Sequence, residues 1–113
     1  MRILLKSKIH KATVTDADLD YIGSITIDEA LMEKADLWEG EQVLIADNTN
    51  GARVTTYVLR GARDSGIICM NGASAHHIKK GDEIIIMAFA LSDTPIKAAK
   101  ILVDERNRFV RYL

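Results

Sequence analysis

The feature that most limits what this chain can fold into is a succession of short apolar or alternating runs, each closed by a turn: RILLKSKIHKATVT, SITI, EQVLIADNT, ARVTTYVLR, GIICM, DEIIIMAFA and KILVDERNRFVRYL. Runs of this length, rich in Val, Ile, Thr and Tyr, read as strands, because β-branched and aromatic side chains suit a pleated surface. One segment breaks the pattern. In DEALMEKADLW, Asp28 stands as a helix N-cap and Leu31, Ala35 and Trp38 recur at helical spacing, which predicts a helix that Gly40 ends. A second helical turn is expected over ASAHHI, after Asn71-Gly72. Many short strands with one or two short helices predict a mainly β fold, a compact barrel closed so that no sheet edge is left open.

The 113 residues read as a single domain, long enough to bury about two thirds of the unfolded surface without disulfide staples. Cys69 is the only cysteine, which rules out an intrachain bridge and fits a reducing cytoplasm. The N-terminal MRILLKSKIHK has too short an apolar run for a signal peptide, and no segment approaches the length of a membrane span. Fifteen Lys and Arg against sixteen Asp and Glu leave a net charge of −1, with neither sign gathered into a block. Neither nucleic acid nor membrane is therefore an expected partner. The most basic run, RNRFVR, reads as a hairpin with Asn107 in its turn.

Gly23-Ser24 interrupts residues that otherwise favour strand, and a glycine inside a strand weakens it. Two readings stand side by side: a bulge or close backbone approach, and a serine hydroxyl placed to attack the carbonyl just before it. Elsewhere, Asn50-Gly51 is the strongest hairpin signal; if these two residues form the turn, Arg53, Thr55 and Tyr57 share one strand face. Lys8 and His10 share a face of the first strand by the same alternation. The N–H groups of Ala73 and Ser74 would open the turn after Asn71-Gly72 and could meet a carboxylate. His76-His77 has no chelating partner at a suitable spacing, so no metal is expected.

Taken together, KIHKATVTDADLDYIGSITID, NTNGARVTTYV and IICMNGASAHHIKKGDEIII resemble the aspartate 1-decarboxylase family, pyruvoyl-dependent enzymes that make β-alanine for pantothenate and coenzyme A synthesis. The resemblance covers about residues 1 to 91, with the motifs in the family's order. It implies a double-psi β-barrel, a homotetramer whose active sites lie between neighbouring subunits, and self-cleavage at Gly23-Ser24 into 1–23 and 24–113. It implies further that Ser24 becomes a covalently bound pyruvoyl group, the cofactor, which forms a Schiff base with the amine of L-aspartate. Thr56 would support cleavage near the Gly23 carbonyl, and Tyr57 would be the proton donor. Lys8, His10 and Arg53 would surround the substrate carboxylates, with Arg53 the main anchor, while Asn71, Gly72, Ala73 and Ser74 would line the pocket. Ser74 stands where the family commonly has alanine, Ala46 near a position where some members carry tryptophan, and the tail after Ser92 is shorter than usual.

Ideal alternation places Thr56 and Tyr57 on opposite faces, so either the strand is irregular there or the two serve different sides of it. The β-branched neighbours of Gly23 would hold it in an outlying backbone conformation, the kind of strain found at functional sites. Cleavage could be spontaneous or assisted by a maturation factor. The rival reading from another class is a non-catalytic β-barrel that binds a small ligand or partner protein and uses Gly23 only as a bulge.

Overall fold

Alternation of buried and exposed side chains carries the chain into nine paired strands, one α-helix and one short 3₁₀ helix in the computed structural model, which describes residues 1–113. In chain order these are β1 (Arg2–Thr13), β2 (Asp16–Asp18), β3 (Ser24–Asp28), α1 (Glu29–Ala35), β4 (Gln42–Asp47), β5 (Arg53–Gly61), β6 (Ile68–Asn71), the 3₁₀ helix (Gly72–His76), β7 (Glu83–Ser92), β8 (Ala99–Val103) and β9 (Phe109–Tyr112). The strands lie in the order β2-β6-β3-β5-β4-β7-β1-β8-β9.

That order closes on itself, because β2 continues β1. One stretch of chain pairs antiparallel with β7 and, a few residues later, parallel with β6. Thr15 joins the two pairings: its N–H donates to the Ile68 carbonyl at 2.8 Å, and its Oγ1 accepts from the Ile68 N–H at 3.0 Å. The result is a ring of β1/β2, β6, β3, β5, β4 and β7. Within it β5 lies between β3 and β4, which are consecutive and antiparallel, being parallel to the first and antiparallel to the second. The β1/β2 stretch lies in the same way between β6 and β7. A strand threaded between two consecutive antiparallel strands is a ψ motif, so this is a double-psi β-barrel. The β8–β9 hairpin adds to the free edge of β1.

The inward face is rich in isoleucine, with valine, alanine and methionine between. Ile9, Ile86 and Ile45 stand side by side across β1, β7 and β4, and with Ile25, Ile27, Ile68, Ile84 and Ile101 are fully buried. Each such side chain contributes roughly 1.5–3 kcal/mol by leaving water.

Asp28 ends β3 and caps α1. Its carboxylate accepts from the N–H groups of Ala30 (2.9 Å), Asp64 (2.9 Å) and Gly66 (2.8 Å) while only 2% exposed. Asp28→Ala is expected to orphan these donors and lower the unfolding free energy by roughly 3 kcal/mol. Urea denaturation checks this, and a loss below about 1 kcal/mol would mean that water replaces the carboxylate.

Three expectations need correction. The helix stops at Asp36, not Gly40: Asp36 turns left-handed at φ 57°, and the Leu37 N–H folds back onto the Met32 carbonyl at 2.8 Å. Trp38 therefore lies off the helix, 78% exposed. The β4–β5 connection is longer than a two-residue turn, because the Asp47 side chain accepts from Thr49 and Asn50 while the Asp47 carbonyl accepts from Gly51. Last, Gly23 does not interrupt a strand. It lies in the bend before β3, which begins at Ser24.

Candidate active site

Ser24 opens β3 with its side chain fully buried. On one side it pairs with Asn71 at the end of β6; on the other, the parallel Ile25–Val58 pair places Ser24 level with Tyr57 of β5. Ile25, Val58 and Met70 all point into the core. By alternation, Asn71, Ser24 and Tyr57 lie in a row on the opposite face of three adjacent strands.

Asn71 holds the row together. Its Nδ2 donates to Ser24 Oγ at 2.8 Å and to Thr26 Oγ1 at 3.1 Å, and its Oδ1 accepts from Cys69 Sγ at 3.3 Å. A hydroxyl that accepts from Asn71 must send its own proton elsewhere, and the Ile22 carbonyl lies at 3.4 Å. The Cys69 thiol is pushed above its ordinary range by burial and by the carboxylates of Asp16 and Asp18, so at neutral pH it is a donor. Sequence reading missed Cys69 and Thr26 as partners of Asn71. The spacing of Cys69 and Asn71, two apart on one strand, was the available signal; β2, which sets Asp16 beside Cys69 and Asp18 beside Asn71, gave none at three residues.

The expected outlying backbone at Gly23 is not found there: its φ is outside the left-handed region, which Gly72 occupies instead at +72°. Gly72 opens the 3₁₀ helix directly against the 21–23 loop, with Ala73 and Ser74 following it. Thr56 stands opposite buried Val43, on the inward side, and makes no hydrogen bond to Gly23. Exposure alternates without a break from Arg53 to Val58, so Thr56 and Tyr57 do face opposite ways. Tyr57, 38% exposed, has its ring accessible.

Arg53 shares the face of Tyr57 but lies four residues back, roughly 13 Å along the strand. Lys8 and His10 share the outward face of β1, three strands from β5 by way of β7 and β4, about 14 Å around the wall. In the other direction it is Asp18, not His10, that aligns with Asn71 and Ser24. One chain thus brings together Gly23, Ser24, Tyr57, Asn71 and Gly72 and leaves Lys8 and His10 on another wall. His10 sits at a bulge where Lys11 takes φ 65°, and its Nδ1 is buried without a partner. Burial, then the charges of Lys8 and Lys11, hold its pKa below the usual 6.5, so the ring is neutral at pH 7. His76 and His77, both exposed, join no group of ligating side chains.

The ring and the serine-centred row define a double-psi barrel with a buried, hydrogen-bonded serine at the start of β3. The family model described as aspartate decarboxylase matches residues 1–110. Aspartate 1-decarboxylase of Syntrophus aciditrophicus is 61% identical over 111 residues, covering 95% of this chain and 96% of the relative. That of Acetivibrio thermocellus is 51% identical over 111 residues, 95% and 88% of the two chains, and that of Lactiplantibacillus plantarum 54% over 112 residues, 96% and 86%. The chain belongs to the aspartate decarboxylase family. A computationally designed protein, msDPBB_sym2, superposes with TM-score 0.47 at 19% identity over 76% of this chain and 98% of its own. No helix is long and apolar enough to cross a membrane.

Proposed function

We propose that this chain is a pyruvoyl-dependent aspartate 1-decarboxylase, which cuts itself between Gly23 and Ser24 and then converts L-aspartate to β-alanine and CO2 in the cytoplasm, supplying pantothenate and coenzyme A synthesis. The observation that carries the proposal is the buried Ser24 hydroxyl, fixed by Asn71 immediately after an unencumbered glycine, in a chain of this family. The relatives named aspartate 1-decarboxylase support the substrate.

In the maturation step Ser24 Oγ attacks the Gly23 carbonyl and the amide becomes an ester, the acyl group moving from N to O. β-Elimination then releases the Gly23 carboxylate and leaves dehydroalanine, whose hydrolysis consumes water, frees ammonia and leaves the pyruvoyl group at position 24. The residues present fit that group, since it would be built from Ser24 itself, at a fully buried position beside Asn71. Once formed, it supplies the electron sink for the pair released as CO2 leaves.

The chain's own side chains do the rest. The Arg53 guanidinium, four residues along β5 from Tyr57 and so brought to the site, like Lys8 and His10, from a neighbouring copy, would grip the carboxylate that stays, in the bidentate way an ammonium does not match. Tyr57, on the face of Ser24, returns a proton to the carbon that lost CO2. Lys8 and His10 reach a Ser24 site only from a neighbouring copy, which supports a homotetramer with shared sites; the unpartnered Nδ1 of His10 is then free to meet a group from outside its own chain.

Incubation of the purified protein with labelled aspartate tests the proposal: β-alanine and CO2 are expected, and an unbroken chain that forms neither returns the barrel to a non-catalytic role. Arg53→Lys is expected to cleave itself normally but to lose at least about tenfold in kcat/KM, roughly 1.4 kcal/mol of transition-state binding. Unchanged kinetics would remove Arg53 from the site.

A further inference from the structure

We propose that Gly72 is a positioning residue for self-cleavage, its missing side chain letting the turn after β6 press directly on the peptide to be cut. The inference rests on the self-cleavage reading and deepens it. A Cβ built on Gly72 would come within 2.7 Å of Gly23 Cα, 2.8 Å of Gly23 N and 3.0 Å of the Tyr21 carbonyl. All three are backbone atoms, so no side chain can swing aside, and the 21–23 loop itself would have to move.

The contact matters because of what Asn71 does one residue earlier. Asn71 fixes Ser24 Oγ at 2.8 Å, while Gly72 sets how far Gly23 can stand from it. Two consecutive residues therefore grip the two sides of one peptide bond. A methyl at 72 pushes Gly23 away while Ser24 stays tied to Asn71, so the Gly23 carbonyl leaves its place relative to the attacking oxygen. Small displacements of reacting atoms are costly when the reaction depends on their alignment. Gly23, by contrast, has open room: a Cβ on it would find its nearest neighbour, the Asn71 carbonyl, at 4.0 Å.

Glycine also relieves backbone strain at φ +72°, and this second effect is separable. Gly81 has φ +90° with nothing within 4 Å of an added Cβ. Gly81→Ala therefore suffers the conformational cost without the collision. In urea Gly81→Ala is expected to show the loss due to strain alone, and Gly72→Ala that loss plus the cost of moving the 21–23 loop. By intact mass over time, Gly81→Ala should cleave at the wild-type rate and Gly72→Ala at least about tenfold more slowly. Hydroxylamine, which intercepts an ester but not an amide, should hasten release of 1–23 from the wild type and fail to restore Gly72→Ala, because the slowed step precedes the ester. If Gly72→Ala does not fold, one glycine inserted after Tyr21 gives the loop slack to accept the methyl. That chain is expected to fold and still cleave slowly, and wild-type cleavage in it, or in Gly72→Ala itself, overturns the proposal. A wild-type chain that stays whole would sink the self-cleavage reading instead, so the two failures are told apart.

Discussion

Ser24→Ala is expected to leave the protein as one chain of 12.5 kDa, where the parent is expected to separate into 1–23 and 24–113. The hydroxyl is the only atom lost, and no other nucleophile occupies its place: Thr26 Oγ1 is two residues into the strand, and Cys69 is bound to the far end of Asn71. The fold should survive, since Asn71 Nδ2 keeps Thr26 as an acceptor; the cost of the lost bond is about 1 kcal/mol. The two fragments and β-alanine formation should therefore disappear together, leaving the intact mass, while the barrel persists by circular dichroism. Two fragments of unchanged mass from this variant would mean that another group cuts the chain.

Tyr57→Phe should separate proton return from every earlier step. Cleavage at Gly23-Ser24 does not use the phenol, and neither does substrate capture, so fragment masses and borohydride trapping of labelled aspartate are expected to match the parent. Turnover should fall by about 10² to 10⁴, the usual range for a lost general acid. The ring remains in place with its packing intact, which is why phenylalanine rather than alanine is the informative change. Normal trapping with undiminished release of β-alanine would exclude Tyr57 as the donor. Failure to trap would assign it to substrate positioning.

Much of this fold could be read in advance, and the reason is local. Alternation over β5 fixed which side chains share the face of Tyr57, and β-branched runs marked most of the strands. What escaped depends on partners remote in sequence. Closure of the ring rests on Thr15 meeting Ile68, 53 residues on, and β2 is too short to show a period. The helix end was misplaced because a non-glycine residue, Asp36, took the left-handed cap. Gly23, set among β-branched residues, reads as the place for unusual backbone; the left-handed φ belongs instead to Gly72, which lies against it. Residue types suggested that Lys8, His10, Arg53 and Tyr57 belong to one chemistry, but alternation gives a face and not an azimuth around a ring, so their separation became visible only in three dimensions.

The strand that closes the ring is also the piece that self-cleavage would set free. Residues 1–23 hold β1 and β2, which pair with β7, β8 and β6, and they place Ile9, Ala12 and Val14 in the core at 0–1% exposure. The mature protein would then be a peptide bound to a barrel lacking one stave. Its unfolding would become a dissociation of that peptide as well as of any oligomer, so its midpoint would depend on protein concentration more steeply than that of the uncut Ser24→Ala chain. Loss of the peptide during denaturation would leave 24–113 unable to close its sheet, so the chain would have to fold first as one molecule and be cut afterwards.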